Sequence, residues 1–348
     1  MTKPQLERKP ESAPPRAPWE AAPRLRLWSE YTPYAALQEP ALLDELGRRD
    51  LQLAIAVTPE LAPLLVAVLR ACRAHGVAVA LWPMLSDAQG RWVSADNAAT
   101  YCQFVRELLD SLAAQGALPQ ALAMDLEPPI ARLRGLKNLR PEPGVRRPPH
   151  TPARGSRSSA PAAAELTALA TTARARGLEL LAAVMPPVVV SPEAAARGWQ
   201  RLLGTPVDAL PLDCVSTMAY TSLFEGYSRG LLRRADARAL LFKLAVGTRA
   251  RYGGRASISL GAVGTGALGD ERTYPGPAEL IEDVGIARAA GLTDLALFNL
   301  DGALARPPLG AWLDALVETP PAPPPPMTRR AELLWQGLRA AGYLASLF

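Results

Sequence analysis

Along this chain, short apolar runs alternate with longer stretches in which apolar residues return every three or four positions. The short runs are Arg24–Ser29, Leu51–Val57, Val77–Trp82, Ala121–Glu127, Leu178–Met185, Cys214–Tyr220, Ala256–Leu260 and Asp294–Leu300. Runs of this length suit strands, and the longer periodic stretches suit amphipathic helices. Helices are expected at Ala41–Arg49, after Thr58-Pro59, and at Ala95–Ala114, Ala162–Arg176, Arg234–Ala245 and Pro277–Ala290, with a strand at Leu244–Gly247 as an alternative. Thr58-Pro59 supplies a cap and a proline at a first turn. Strands separated by helices predict a parallel sheet, because each crossover must return the chain to the same end. Eight units over residues 24–318 fit an α/β fold of the (β/α)8 TIM-barrel type. An open doubly wound sheet would call for a Gly-rich turn after the first strand, where the chain has Trp28-Ser29-Glu30-Tyr31.

Three stretches interrupt the pattern. Residues 1–23 are polar and Pro-rich and read as a disordered leader; residues 128–159 read as a Pro/Arg-rich flexible insertion after the fourth strand. Residues 319–326 form a proline linker to a C-terminal amphipathic helix at 327–348. Its Leu333, Leu334, Leu338, Leu344 and Leu347 are spaced for one face, which would pack on the barrel or receive a partner protein.

Composition narrows the chemistry. The 348 residues carry 38 Lys and Arg against 33 Asp and Glu, a net charge of +5, and the mean hydropathy is +0.04. Much of the excess lies between Arg132 and Arg157 without interleaved aromatics, so a solvated loop is expected and no nucleic-acid partner. Cys72, Cys102 and Cys214 are odd in number and lack a CxxC pair, which fits buried thiols in a reducing compartment. His75 and His150 form no cluster with them, so no metal and no cofactor are expected. No run reaches the roughly 18 apolar residues of a membrane span, and residues 1–23 hold no apolar signal core. The cytoplasm is the expected location.

The chemistry is expected at Ala121–Glu127. Side chains alternate along a strand, so Asp125 and Glu127 share a face with Ala123 while Leu122, Met124 and Leu126 take the other. Two carboxylates at the end of an apolar strand are costly to bury unless paired or used. The catalytic ends of barrel strands are their C-terminal ends. There this chain also places Glu30, Trp82, Met218, Tyr220, Phe298 and Asp301, a set of acids and rings suited to a sugar.

Those residues carry a resemblance. Asp125-Leu126-Glu127 resembles the end of the D-x-x-D-x-D-x-E strand of family 18 glycoside hydrolases, the chitinase-like barrels. Met218-Ala219-Tyr220 is similar to that family's Met-x-Tyr-Asp element, and Phe298-Asn299-Leu300-Asp301 to its last strand, where a Trp floors the sugar subsite. The resemblance implies Glu127 as general acid, Asp125 orienting a substrate N-acetyl group that acts as nucleophile, Tyr220 hydrogen-bonding that group and Phe298 supporting the sugar. Trp82, Met218, Asp301 and Glu30 would complete the contacts with a glycan or oligosaccharide. The chain departs from the pattern at Gln120 and Ala123, which stand for two Asp, at Thr221 for the Asp after the Tyr, and at Phe298 for the Trp.

Several readings stay open. Family 25 lysozymes also carry Asp-x-Glu at this strand. An inactive carbohydrate-binding barrel would follow from the departures at 120, 123 and 221. A phosphate-handling barrel would use the Gly-rich loop Gly261–Gly269. The seventh strand ends in Ser259-Leu260-Gly261-Ala262, without the second acid of a two-carboxylate retaining barrel.

Overall fold

A computed structural model describes residues 24–137 and 159–347. The expected leader and most of the expected insertion lie outside these residues. Eight parallel strands close on themselves: β1 Leu25–Ser29, β2 Leu51–Val57, β3 Val79–Pro83, β4 Ala121–Leu126, β5 Glu179–Val184, β6 Cys214–Met218, β7 Ala256–Gly261 and β8 Asp294–Phe298. β8 returns to β1 through the register Leu25↔Leu295 to Trp28↔Phe298, so no edge is left. The barrel reading holds and the open-sheet alternative falls.

Helices alternate with the strands: α1 Pro40–Arg48, α2 Leu65–Ala74, α3 Ala98–Ala114, α4 Ile130–Lys137, α5 Ser159–Ala175, α6 Glu193–Leu203, α7 Thr221–Tyr227, α8 Arg234–Tyr252 and α9 Pro277–Ala289. After β8 come α10 Leu300–Ala305, α11 Leu309–Glu318 and α12 Arg329–Ser346. Leu244–Gly247 is helical, within α8. Thr58-Pro59 does not open α2 directly; a 3-10 turn at Ala62–Leu64 comes between. Part of the expected insertion is ordered as α4.

Strand alternation creates two cores. Outward residues such as Leu27, Leu53, Ile55, Leu122, Met124, Leu180 and Ile258 pack against the helices. Inward residues are mostly small, including Ala54, Ala56, Ala80, Ala123, Ala183 and Ala296. Bulky branched residues usually fill a barrel of this size. Here Trp28 and Trp82 take the space, edge to face with centroids 4.9 Å apart. Ser216 and Ser259 hydrogen-bond at 2.9 Å, and the Trp28 Nε1 donates to Ser259 at 3.1 Å, so these polar atoms find partners inside the barrel. At the lower end Arg26 is buried; it donates to Gln52 and pairs with Asp294.

The C-terminal helix docks by a face other than the expected one. Ala331, Trp335 and Gly342 are buried, whereas Leu333 and Leu344 are 73% and 58% exposed. Close approach chose the face: a Cβ on Gly198 of α6 would lie 1.9 Å from the Gly342 carbonyl oxygen. The Trp199 Nε1 seals the crossing by donating to the Leu338 carbonyl at 2.8 Å. The proline linker is laid on α9, where the Ala322 N–H donates to the Gly285 carbonyl at 2.9 Å. Among the described residues no helix is long and apolar enough to cross a membrane.

Candidate active site

β4 ends at Leu126, leaving Glu127 just beyond it, with its N–H turned back to the Asp125 carbonyl at 3.2 Å. Asp125 is 4% exposed and faces into the barrel; Glu127 is partly buried above it. The two carboxyls are neighbours at one strand end, and charge on Glu127 makes Asp125 harder to ionise.

The electrostatics agree. Burial pushes Glu127 up from the ordinary 4.5 to about 7; its bond to Asp125 and the Arg91 guanidinium oppose the rise, while the Glu30 charge adds to it. Burial, then Glu127, then Glu30 push Asp125 well above the usual carboxylate range, with Arg91 pulling the other way. A buried acid that keeps its proton near neutral pH is what a general acid needs.

The pair is walled by loops from several strand ends. Tyr220 follows β6 and stacks on Phe298 at the end of β8, with centroids 5.2 Å apart and planes tilted by 30°. Met218 lies with them in the inner core, and Ala267 and Leu268 of the β7–α9 loop pack from above. α4 crosses the mouth: Arg134 pairs with Asp87 at 2.9 Å and donates to the Ala267 carbonyl at 3.2 Å. Two polar atoms stay open inside. The Trp82 Nε1 donor and the Asp125 Oδ1 acceptor are buried without partners.

The structure brings Asp125, Glu127, Tyr220, Met218 and Phe298 together and treats the other expected sugar contacts differently. Trp82 is 3% exposed and lies flush against Trp28, so it is a filler of the barrel floor that offers at most its N–H. Asp301 is spent on the loop after β1, accepting from the Glu30 and Tyr31 N–H groups at 3.0 Å each and from the Thr32 hydroxyl. Glu30 has a side chain only 2% exposed and pairs with Arg91. Both corrections have one cause: the loop after β1 needs partners for its own backbone and charge before any ligand arrives. Gln120 and Thr221 are also occupied. Gln120 accepts the Val79 N–H at 2.8 Å, and Thr221 hydrogen-bonds to Asp283 beneath Tyr274 and Arg234.

Three residues were missed from the sequence. Arg91, in the loop after β3, joins Glu30, Asp87 and the Tyr31 hydroxyl. Trp92 is buried in the same inner core. Glu271 in the loop after β7 is buried; its Oε1 accepts the Leu268 N–H at 2.9 Å and its Oε2 has no partner. None of the three sits on a periodic element, so no pattern announced them.

The Gly-rich loop is built against phosphate. Its Val263, Leu268 and Gly269 N–H groups donate to the Phe298 carbonyl, Glu271 and the Gly266 carbonyl, and a carboxylate sits where an anion would go. Among the described residues no group of His, Cys, Asp and Glu could hold a metal ion.

No family model matches the chain, and no curated protein matches its sequence. Its fold is similar to that of the PgaB (BpsB) glycoside hydrolase domain from Bordetella bronchiseptica, with a TM-score of 0.53 and 14% identity over 85% of this chain and 99% of that one. It is also similar to GH5_18 from Bifidobacterium longum subsp. longum in complex with Manb1-4GlcNAc, with a TM-score of 0.51 and 13% identity over 94% of this chain and 78% of that one. At such identities the likeness is one of fold: this chain has a TIM barrel of the kind found in glycoside hydrolases.

Proposed function

We propose that the protein is a glycosidase of the family 18 type, acting on N-acetylhexosamine-containing glycans with Glu127 as general acid. The observation that carries this reading is the buried pair of carboxyls, Asp125 and Glu127, at the C-terminal end of β4 inside the barrel mouth. Glu127, protonated near neutral pH, would give its proton to the glycosidic oxygen. Asp125 Oδ1 and Trp82 Nε1 are buried without partners, and an acetamido group carries one partner for each. With its N–H on Asp125, the acetamido carbonyl could attack the anomeric carbon, an exception to the two-carboxylate scheme. The Tyr220 hydroxyl would steady that carbonyl, and Phe298 would lie against the sugar.

The test is hydrolysis of a panel of aryl glycosides, including N-acetylglucosaminide oligomers, by wild type and Glu127→Gln. Turnover by the wild type should fall by about a hundredfold or more in the variant, the range typical of a lost general acid. Turnover that survives the substitution would place the chemistry elsewhere.

A second reading, a sugar-binding barrel without turnover, is favoured by the occupied side chains of Gln120 and Thr221 and by the small Ala123 on the inner face of β4. It predicts glycan binding with no hydrolysis on any member of the panel.

A further inference from the structure

Outside the barrel wall, α6, α8 and the C-terminal segment enclose a groove of about 950 Å³. Its floor includes Val215 of β6, which belongs to the outer core. Small-molecule sites span roughly 300–1,000 Å³, so the groove has the size for one such molecule. Most of the lining is apolar, with Val190, Leu210, Leu212, Phe242 and Trp335 joining Val215. Phe242 and Tyr252 line it from two positions on α8, roughly 15 Å apart along the helix axis. The roof lies outside the repeating strand–helix pattern: it is Pro325, Met327 and, from α12, Trp335. Lys243 of α8 pins that roof, pairing with Glu332 at 3.1 Å and lying 5.4 Å from the centre of the Trp335 ring.

One end of the groove is polar, with more positive charge than negative. Arg251 and Arg255 hold their guanidinium carbons 5.8 and 6.0 Å from the centre of the Tyr252 ring. Asp208 is the carboxylate at this end; it pairs with Arg251 and accepts from Gln200 Nε2 at 2.8 Å. Arg255 donates to the Leu212 carbonyl at 3.1 Å, and among the described residues no carboxylate pairs with it. The Tyr252 hydroxyl and the Arg251 Nε are buried without partners, and Tyr252 as a whole is only 7% exposed. Buried polar atoms left in this way are uncommon and costly. Burial pushes the hydroxyl up to about 12, so it keeps its proton at neutral pH and can donate. Other charges along the groove are already matched, Arg197 by Glu193 and Lys243 by Glu332.

We propose that this groove binds a long-chain carboxylate, its alkyl chain along α8 beneath Trp335 and its head on the Tyr252 hydroxyl and the Arg255 guanidinium. An apolar lining with donors gathered at one end selects that chemistry. A sugar or a nucleotide would bury polar groups along its length with nothing to meet them. An uncharged alkyl chain would leave Arg255 and Tyr252 as they stand. The roughly 15 Å between Phe242 and Tyr252 suits an extended dodecyl chain. The proposal is independent of the glycosidase reading, since neither Asp125 nor Glu127 lines the groove.

The test is calorimetric titration of the full chain with dodecanoate below its micelle concentration. Dodecyltrimethylammonium, the same chain on a cationic head, is the control. One dodecanoate should bind per chain, and the cation should bind far more weakly. Arg255→Gln removes the charge and should weaken dodecanoate binding by about tenfold or more, as for a lost hydrogen bond to a charged group. Tyr252→Phe should weaken it several-fold at an unchanged Tm, because the hydroxyl gives up no partner in the free protein. Ala250→Trp, at an exposed position lining the groove, should block the chain and abolish binding. The proposal is overturned if wild type binds no dodecanoate, if it binds many molecules per chain, or if the cation binds as tightly. Unchanged affinity in Arg255→Gln overturns it too; should that variant fail to fold, unchanged affinity in Tyr252→Phe does the same.

Discussion

Glu127→Gln should stabilise the protein at alkaline pH. Burial raises this carboxyl from 4.5 to about 7, so ionising it in the folded protein is unfavourable. Between those two values the folded chain keeps a proton that the unfolded chain has lost, and stability falls as the pH rises through the window. Below 4.5 both states are protonated and the cost vanishes; above 7 it is complete. At about 1.4 kcal/mol per pH unit, the difference comes to about 3 kcal/mol. Gln is neutral at every pH and nearly the same shape as Glu, so the packing of the site is kept. Asp125, which Glu127 pushes upward, is relieved in the same direction. Urea denaturation of both proteins at pH 4.5 and pH 8 measures the effect. The two should agree closely at pH 4.5, and the variant should lead by about 3 kcal/mol at pH 8. A wild type that is the more stable at pH 8 would refute the reasoning, and so would a difference equal at both pH values. Either result would mean that the pair anchors the barrel mouth. The predicted sign belongs to a residue kept for chemistry at a cost in stability.

Two further substitutions test the surroundings. In Gly198→Ala the new Cβ would meet backbone atoms of α12, the Gly342 oxygen at 1.9 Å and the Ser346 nitrogen at 2.8 Å, so α12 must shift. The expected cost is about 1–3 kcal/mol, read as faster hydrogen exchange and proteolysis in residues 329–346 with the strands still protected, and unchanged protection of α12 would contradict it. Glu271→Gln should leave kcat/KM nearly unchanged, because the acetamido group is the proposed nucleophile. A fall of about a hundredfold or more would instead make Glu271 the second acid of a two-carboxylate mechanism.

The barrel was legible because its strands are covered on both faces and read as nearly unbroken apolar runs. β2 lies at the expected Leu51–Val57, and β3 is displaced toward its C-terminal end because Val77 and Ala78 are apolar without pairing as strand. α6 was missed: it follows a Pro-rich stretch and contains Gly198, both signs of a loop. The glycine is there for α12, a neighbour far along the chain. The same crossing explains why the leucines of α12 misled. Spacing counts apolar residues, whereas docking here was decided by which face let two backbones meet.

The site divided along similar lines. Asp125 and Glu127 could be placed together by strand alternation, a rule that needs only neighbours in sequence. Glu30 was visible at the end of β1, but its meaning depended on Arg91, which no period marks and which reaches it only when the barrel closes. Trp82 shows what a strand-by-strand reading leaves out. Taken alone, an aromatic residue at a strand end suits a sugar platform. Taken with the alanines at 54, 56, 80, 123, 183 and 296, it sits in an interior too empty to pack without large rings. The volume inside a closed barrel is a sum over eight strands. Adding inward-facing side chains around the ring would have assigned Trp28 and Trp82 to the floor, leaving Tyr220 and Phe298 as the stacked rings beside the acids.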